Sequence, residues 1–98
     1  AHVEGNVAKV KLSGRFTFEA RADFQGAVLP LLTVPGLQEV RLDLEGLNYL
    51  DASALGLLLT LRERAQSNGQ RIVLERPRRE VRAILDFVKF DQIFTIVD

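Results

Sequence analysis

The residues with the clearest chemical character in this chain stand where a predicted strand gives way to a helix. Asp51 is followed by Ala52 and Ser53, and a strongly apolar run begins directly after them. An aspartate in this position is typical of a helix N-cap, whose carboxylate accepts hydrogen bonds from the first backbone amides. The positive end of a helix also favours a phosphate group. We therefore interpret this corner as a switch surface for a protein partner, not as a catalytic pocket.

Patterns that support catalysis or metal binding are weak. The single histidine, His2, stands at the N-terminal end, whereas a general base must be held within hydrogen-bond reach of its nucleophile. Asp43 and Glu45 are expected on the solvated face of a strand and Asp51 at a cap, so we expect no carboxylate pair and no metal site. No glycine-rich phosphate loop is present. These patterns predict a non-enzymatic protein with no catalytic residue and no cofactor.

Composition restricts the classes of partner. The 13 basic and 13 acidic residues cancel, which argues against a nucleic-acid partner. No apolar run reaches the roughly 18 residues that membrane insertion needs, and the absence of cysteine fits the reducing cytoplasm, where we expect the protein to act. A chain of 98 residues is expected to form a single domain spanning residues 1–98.

The predicted elements alternate between strands and helices. Period-2 patterns predict strands near residues 7–14, 40–44 and 71–75, with Val3 able to close a hairpin, and helical spacing predicts helices after Thr17, from Ala52 to about Ser67, and from Pro77. Thr17 is expected to cap the first helix, Pro30 to kink its end, and Gly46 to turn the chain. The last residues, 90–96, fit either one helical turn or a short edge strand.

This order predicts an α/β fold with a mixed, mostly parallel sheet of four to five strands and helices chiefly on one face. The other face is expected to be solvated. The charged residues predicted to lie on it are Lys9, Lys11, Arg41, Asp43 and Arg71.

The second helix has more apolar residues than one buried stripe requires. Leu55, Leu58 and Leu59 are predicted to face the core, and Ala54, Leu57 and Leu61 form a second stripe. Either neighbouring helices cover this second stripe, or it is a partly exposed patch of the kind that marks a protein interface. The basic run 76–79 also allows two interpretations. It is either a solvated helix start or a contact for an acidic partner.

Several segments spread over nearly the whole chain carry a family resemblance. They are residues 10–16 (VKLSGRF), 42–44 (LDL) leading to 49–56 (YLDASALG), 71–74 (RIVL), and the closing segments 81–85 and 90–94. In these segments the chain resembles the STAS domain family, which comprises bacterial anti-sigma factor antagonists and related cytoplasmic domains of sulfate transporters.

The resemblance implies a phosphorylation switch at the residue after Asp51. In the family that residue is usually a serine or threonine, which a serine-kinase anti-sigma factor of the histidine-kinase-like ATPase type phosphorylates and a PP2C-type phosphatase restores. Here it is Ala52, which cannot be phosphorylated. Ala52 could be an engineered replacement that locks the unmodified state, the natural protein could lack the switch, or Ser53 could be the acceptor. Ser53 ranks last, because one helical residue rotates a side chain by about 100°.

The leading hypothesis is an anti-sigma factor antagonist in a locked, unphosphorylated form. Its expected partner-binding residues are Thr17, Asp51, Ala52, Ser53, Ala54 and Leu57. The first alternative is a STAS-type structural or regulatory subunit or domain of a membrane transport system. A small-ligand or nucleotide-binding enzyme is a further alternative, against which the missing phosphate loop argues.

Overall fold

Buried and exposed residues alternate along the strands of the fold. The computed structural model describes residues 1–98. Val40, Leu42 and Leu44 are fully buried on one face of the central strand, as their period-2 spacing predicts. The strands are β1 (His2–Glu4), β2 (Val7–Phe16), β3 (Glu39–Leu50), β4 (Arg71–Glu75) and β5 (Thr95–Val97). The helices are α1 (Arg21–Val28), α2 (Ala52–Ser67) and α3 (Arg79–Phe87), with 3₁₀ turns at Phe18–Ala20, Pro30–Thr33 and Phe90–Gln92.

The five strands form one sheet in the order β1-β2-β3-β4-β5. β1 pairs with β2 antiparallel, and every other neighbouring pair is parallel. The predicted mixed, mostly parallel α/β sheet is confirmed. Both options for the chain end are present in part, because a 3₁₀ turn at Phe90–Gln92 precedes the edge strand β5.

A core cluster of 23 buried residues joins the inner face of the sheet to the helices. α1 contributes Phe24, whose ring centroid lies 4.8 Å from that of Phe16 in β2. α3 contributes Val81 and Leu85, both fully buried. The helical spacing seen in the sequence therefore places each of these helices with its apolar side on the core.

The prediction that Gly46 turns the chain is wrong. β3 continues through Gly46 to Leu50, and β2 continues through Gly14 to Phe16, with two shifts of register between them. Gly14 has a φ of +76°, which glycine adopts without steric cost. Gly46 instead allows close approach, since a Cβ there would lie 2.9 Å from the carbonyl oxygen of Leu12.

Three predictions about helix ends are also wrong. Thr17 makes no capping hydrogen bond through its side chain and precedes a 3₁₀ turn, so α1 starts only at Arg21. Pro30 opens the next 3₁₀ turn, two residues after α1 has ended, instead of kinking the helix. Pro77 lies before the N-cap of α3, Arg78, and is outside the first helical turn.

The second face of the sheet is charged but less solvated than predicted. Glu39 and Asp43 are only 4% and 7% exposed. Arg71 binds Glu39 at 2.6 Å, Arg41 bridges Glu39 and Glu75, and Arg76 binds Asp43. The arginine head groups cover the carboxylates, while the arginine side chains themselves remain 34% to 73% exposed.

These ion pairs determine the protonation of the two buried carboxylates. Burial alone would raise the pKa of Glu39, but hydrogen bonds from Arg71 and Arg41 outweigh it and leave the pKa below its ordinary value. Burial likewise opposes the lowered pKa of Asp43, which results from hydrogen bonds donated by Arg76 and by the Glu45 amide. Both groups therefore stay ionised near neutral pH.

Candidate functional site

Asp51 is the N-cap of α2, as predicted. Its backbone is extended, and its Oδ1 accepts a hydrogen bond from the Ala54 amide at 2.9 Å. The Asp51 amide donates to the carbonyl oxygen of Phe16 at 3.2 Å, so the cap is also tied to the end of β2. The start of α2 is therefore fixed to the sheet on one side and capped on the other.

Of the residues after the cap, Ala52 and Ser53 are exposed, whereas Ala54 is fully buried. A side chain added at position 52 or 53 projects into solvent beside the first amides of the helix. Ala54 cannot contact a partner through its side chain and is removed from the expected binding set. The exposed part of the corner is thus the first two residues of α2, flanked by Asp51 and the half-buried Leu57.

The predicted faces of α2 need correction. The buried residues of this helix are Ala54, Leu58, Leu61 and Ala65, at spacings of four, three and four. Leu55 and Leu59 are half-buried instead of central to the core, and of the expected second stripe only Leu57 is partly exposed. Both stripes had helical spacing, and the packing of α2 against β3 and β4 determines which residues are buried.

Two aromatic residues beside the cap were missed by the sequence analysis. Phe18 is 60% exposed and Tyr49 is 40% exposed. With Arg15, Thr17, Glu19, Ala20 and Asp51 they line an open groove, which we call the corner groove. Continuing the alternation of positions 40, 42 and 44 past Gly46 would have placed Tyr49 on the outer face, but the glycine was interpreted as a turn. The same alternation would also have placed Leu47 outside, whereas it is buried beyond the register shift at Gly46.

The corner groove brings together Thr17 and Asp51, two of the expected site residues. Thr17 is half-buried and lies in the segment between β2 and α1, without the capping role predicted for it. The guanidinium carbon of Arg15 lies 4.4 Å from the centroid of the Tyr49 ring, within the range of a cation–π contact. The groove is therefore lined by aromatic and charged groups around the capped helix start.

The other candidate clusters do not assemble into a site. Asp43 pairs with Arg76 and Asp51 caps α2, so the carboxylates of the predicted strand region are engaged separately. No group of three or more His, Cys, Asp or Glu side chains is arranged to hold a metal ion. His2 lies 3.3 Å from Glu4 on exposed β1.

The basic run 76–79 is partly used within the chain. Arg76 binds Asp43, and the Nε of Arg78 donates to the carbonyl oxygen of Glu45 at 2.6 Å. These contacts tie the start of α3 to β3 and use two of the three arginines. None of the helices is long and apolar enough to cross a lipid bilayer.

A five-stranded mixed sheet with a capped, exposed helix start after its central strand defines a small α/β domain of the STAS type. The chain belongs to the STAS domain family: the family model described as "Mlab, STAS domain" matches residues 2–98. A STAS-domain containing protein of Pseudomonas aeruginosa, PA14_20770, is 39% identical over 93 residues, which are 95% of this chain and 90% of that protein.

Solved structures share the fold at lower identity. A Thermotoga maritima protein assigned as an anti-sigma factor antagonist has a TM-score of 0.88 at 21% identity, with 99% of this chain and 83% of that chain covered. The anti-sigma factor antagonist SpoIIAA in its unphosphorylated form has a TM-score of 0.76 at 17% identity, with coverages of 100% and 84%. A sulfate transporter family protein of Wolinella succinogenes has a TM-score of 0.82 at 16% identity, with coverages of 100% and 81%.

Proposed function

We propose that this protein is an anti-sigma factor antagonist that binds a serine-kinase anti-sigma factor through the start of α2. The observation that carries the proposal is the exposed pair Ala52–Ser53 beside the amides of a helix capped by Asp51. This is the position at which the family resemblance places the regulated residue. The proposed partner is an ATPase of the histidine-kinase-like type, and the proposed compartment is the cytoplasm.

Electrostatics explains how a phosphate at position 52 would act on binding. A phosphoryl group adds a charge of about −1.5 to −2 at pH 7, and a helix N-terminus stabilises that charge while water surrounds it. A docked partner would remove the water, and desolvating such a charge without new partners is costly. Binding can therefore be lost without any change in the fold of the domain.

Ala52 removes this control, because its methyl side chain has no acceptor oxygen. We propose that the chain behaves as a permanently unphosphorylated antagonist, whose binding is indifferent to ATP. Ser53 is exposed but stands one residue further along α2, so its hydroxyl faces a different direction from that of position 52. A PP2C-type phosphatase has a substrate only in the Ala52→Ser variant.

The decisive experiment measures binding to the histidine-kinase-like anti-sigma factors of the source cell, each purified and titrated calorimetrically. The unchanged chain should bind one of them equally well with and without a prior incubation with ATP. Ala52→Ser should bind before that incubation, acquire one phosphate by mass spectrometry, and then lose binding. Phosphate on Ser53 of the unchanged chain, together with loss of binding, would contradict the locked state.

A charge variant tests the site without a kinase. Ala52→Asp should weaken binding at least about ten-fold, because a carboxylate would be desolvated in the interface. The same variant should be folded and slightly more stable, since a negative charge in the first helical turn contributes roughly 0.3–1 kcal/mol. Ser67→Asp, at the exposed last residue of α2, is the matched control and should bind like the parent.

A second function follows from the absent hydroxyl at position 52. A STAS-type subunit or domain of a membrane transport system has no need of a phosphorylatable residue there. This alternative predicts stable copurification with a membrane ATPase, unchanged by ATP and by the Ala52→Ser substitution. It also predicts that none of the anti-sigma factors binds the purified chain.

A further inference from the structure

Two arginines beside the corner groove have no carboxylate partner. The structure contains seven ion pairs, and neither Arg15 nor Arg21 takes part in any of them. Each instead lies over an aromatic ring: Arg15 at 4.4 Å from the centroid of Tyr49, and Arg21 at 5.9 Å from that of Phe18. Of the three arginines on strands, Arg41 and Arg71 are paired with carboxylates, and Arg15 is not.

The aromatic rings under these arginines are themselves exposed. Phe18 is 60% and Tyr49 is 40% exposed, although both lie next to a core that has buried Phe16 and Leu50. Exposed aromatic residues together with arginine have the composition of binding hot spots, and a stacked guanidinium loses less side-chain freedom when it binds a carboxylate. The corner groove is therefore preorganised for contact with another protein.

The charges around the corner groove indicate which chemical groups the partner protein presents to it. The groove also contains the carboxylates of Asp51 and Glu19. The Asp51 carboxylate accepts the Ala54 amide and is opposed by the positive end of α2. This leaves Glu19 against Arg15 in the groove and Arg21 beside the groove, over the Phe18 ring. An acidic group on the partner is accordingly favoured, and an apolar side chain beside it would cover the exposed rings.

We propose that Arg15, Phe18 and Tyr49 anchor the protein partner, which inserts an apolar side chain beside Phe18 and Tyr49 and places a neighbouring carboxylate on Arg15. This inference rests on the proposed function, since it names the chemistry of the surface that the antagonist uses. A second copy of this chain is a poorer occupant. A twofold contact centred on Arg15 would bring its guanidinium group against that of the second copy.

The test measures the dissociation constant for the anti-sigma factor that binds the parent chain, at 50 and 300 mM NaCl. Phe18→Ala should weaken binding at least about ten-fold, as truncation of an anchor residue does. Arg15→Gln should weaken it about ten-fold at the lower salt concentration and reduce the salt dependence, since surface charge pairs are screened. Phe87→Ala is the matched aromatic control, because Phe87 is 87% exposed on α3, and Arg64→Gln is the matched charge control.

Both control variants should bind within two-fold of the parent. Failure of the inference and failure of the proposed function are distinguished by Ala52→Asp. If Ala52→Asp abolishes binding while Phe18→Ala and Arg15→Gln bind like the parent, the anchor is refuted and the antagonist function stands. A dimer in sedimentation equilibrium that Phe18→Ala dissociates would also overturn the inference.

A partner-free measurement covers the case in which no anti-sigma factor binds. Acetyl-Leu-Glu-amide at millimolar concentration should shift the NMR signals of Arg15 Nε and of the Tyr49 ring. Acetyl-Leu-Lys-amide should leave both signals unchanged. Such shifts without anti-sigma factor binding support the chemistry of the groove and refute the antagonist function, whereas equal responses to the two peptides refute the groove chemistry.

Discussion

Gly46 offers the sharpest test of how the two long strands fit together. It lies in β3 opposite Ser13 of β2, at one of the two shifts of register. A Cβ at position 46 would lie 2.9 Å from the Leu12 carbonyl oxygen and 2.9 Å from the Ser13 Cβ. Because one of these neighbours is backbone, Gly46→Ala cannot be accommodated by rotating a side chain, and the strands must move apart.

The expected cost is that of overpacking a tight site. Inserting one methyl group there should reduce the free energy of unfolding by about 2 kcal/mol. For a domain of this size, that corresponds to a decrease of about 10 °C in Tm. Circular dichroism melts and urea titrations measure both quantities, and an unchanged m-value would show that the variant still unfolds in a single comparable transition.

Gly56→Ala is the matched control, and its effect should have the opposite sign. Gly56 lies inside α2 and is exposed, with no atom within 4 Å of an added Cβ. Alanine there should increase the free energy of unfolding by about 0.5–1 kcal/mol, because glycine is the poorer helix former. A Gly46→Ala variant that melts at or above the parent temperature would refute the close approach of β2 and β3 described here.

Three further predictions concern the core, the cap and the buried carboxylates. Leu58→Ala should cost about 3 kcal/mol in urea unfolding, whereas Leu57→Ala, at a half-buried position, should cost less than half of that. Asp51→Ala should cost about 1 kcal/mol in the same assay, and Asp51→Ser should restore most of it. The pKa of Glu39 is lower in the folded state than in the unfolded state, so ionised Glu39 stabilises the fold fully above about pH 5. This contribution is lost as the pH falls through the folded-state pKa. The urea midpoints of the parent and of Glu39→Gln should therefore converge in acid.

The element order and the cap could be read from the sequence because local rules govern them. Asp51 before an apolar run specifies a helix start, and alternation along residues 40–44 specifies a buried strand. Where two local rules competed, the sequence did not decide between them. Glycine is typical of turns, but at position 46 its lack of a side chain allows the close contact between β3 and β2. Only the pairing of the strands distinguishes a turn from a close contact at this position.

The cap at Asp51 and the exposure of Ala52 agree with the predicted corner, whose role as a binding site stays a prediction, and the sequence did not indicate the aromatic residues beside it. Phe18 and Tyr49 come from separate segments that meet only because β2 and β3 extend further than their alternation suggested. Ala54 and Leu57 have the same apolar character, and only the rotation of α2 against the sheet shows that one is buried and the other partly exposed. Surfaces assembled from distant segments depend on such tertiary contacts, which a single sequence does not contain.

The unequal pairing of β3 has a mechanical consequence. β4 accompanies it only from Glu39 to Asp43, whereas β2 accompanies it as far as Leu50. The last seven residues of β3, 44–50, thus have a neighbouring strand on one side only. Leu44, Leu47 and Leu50 are buried, so this half of β3 is held by β2 and by packing on the core, and its opening would expose three leucines to water.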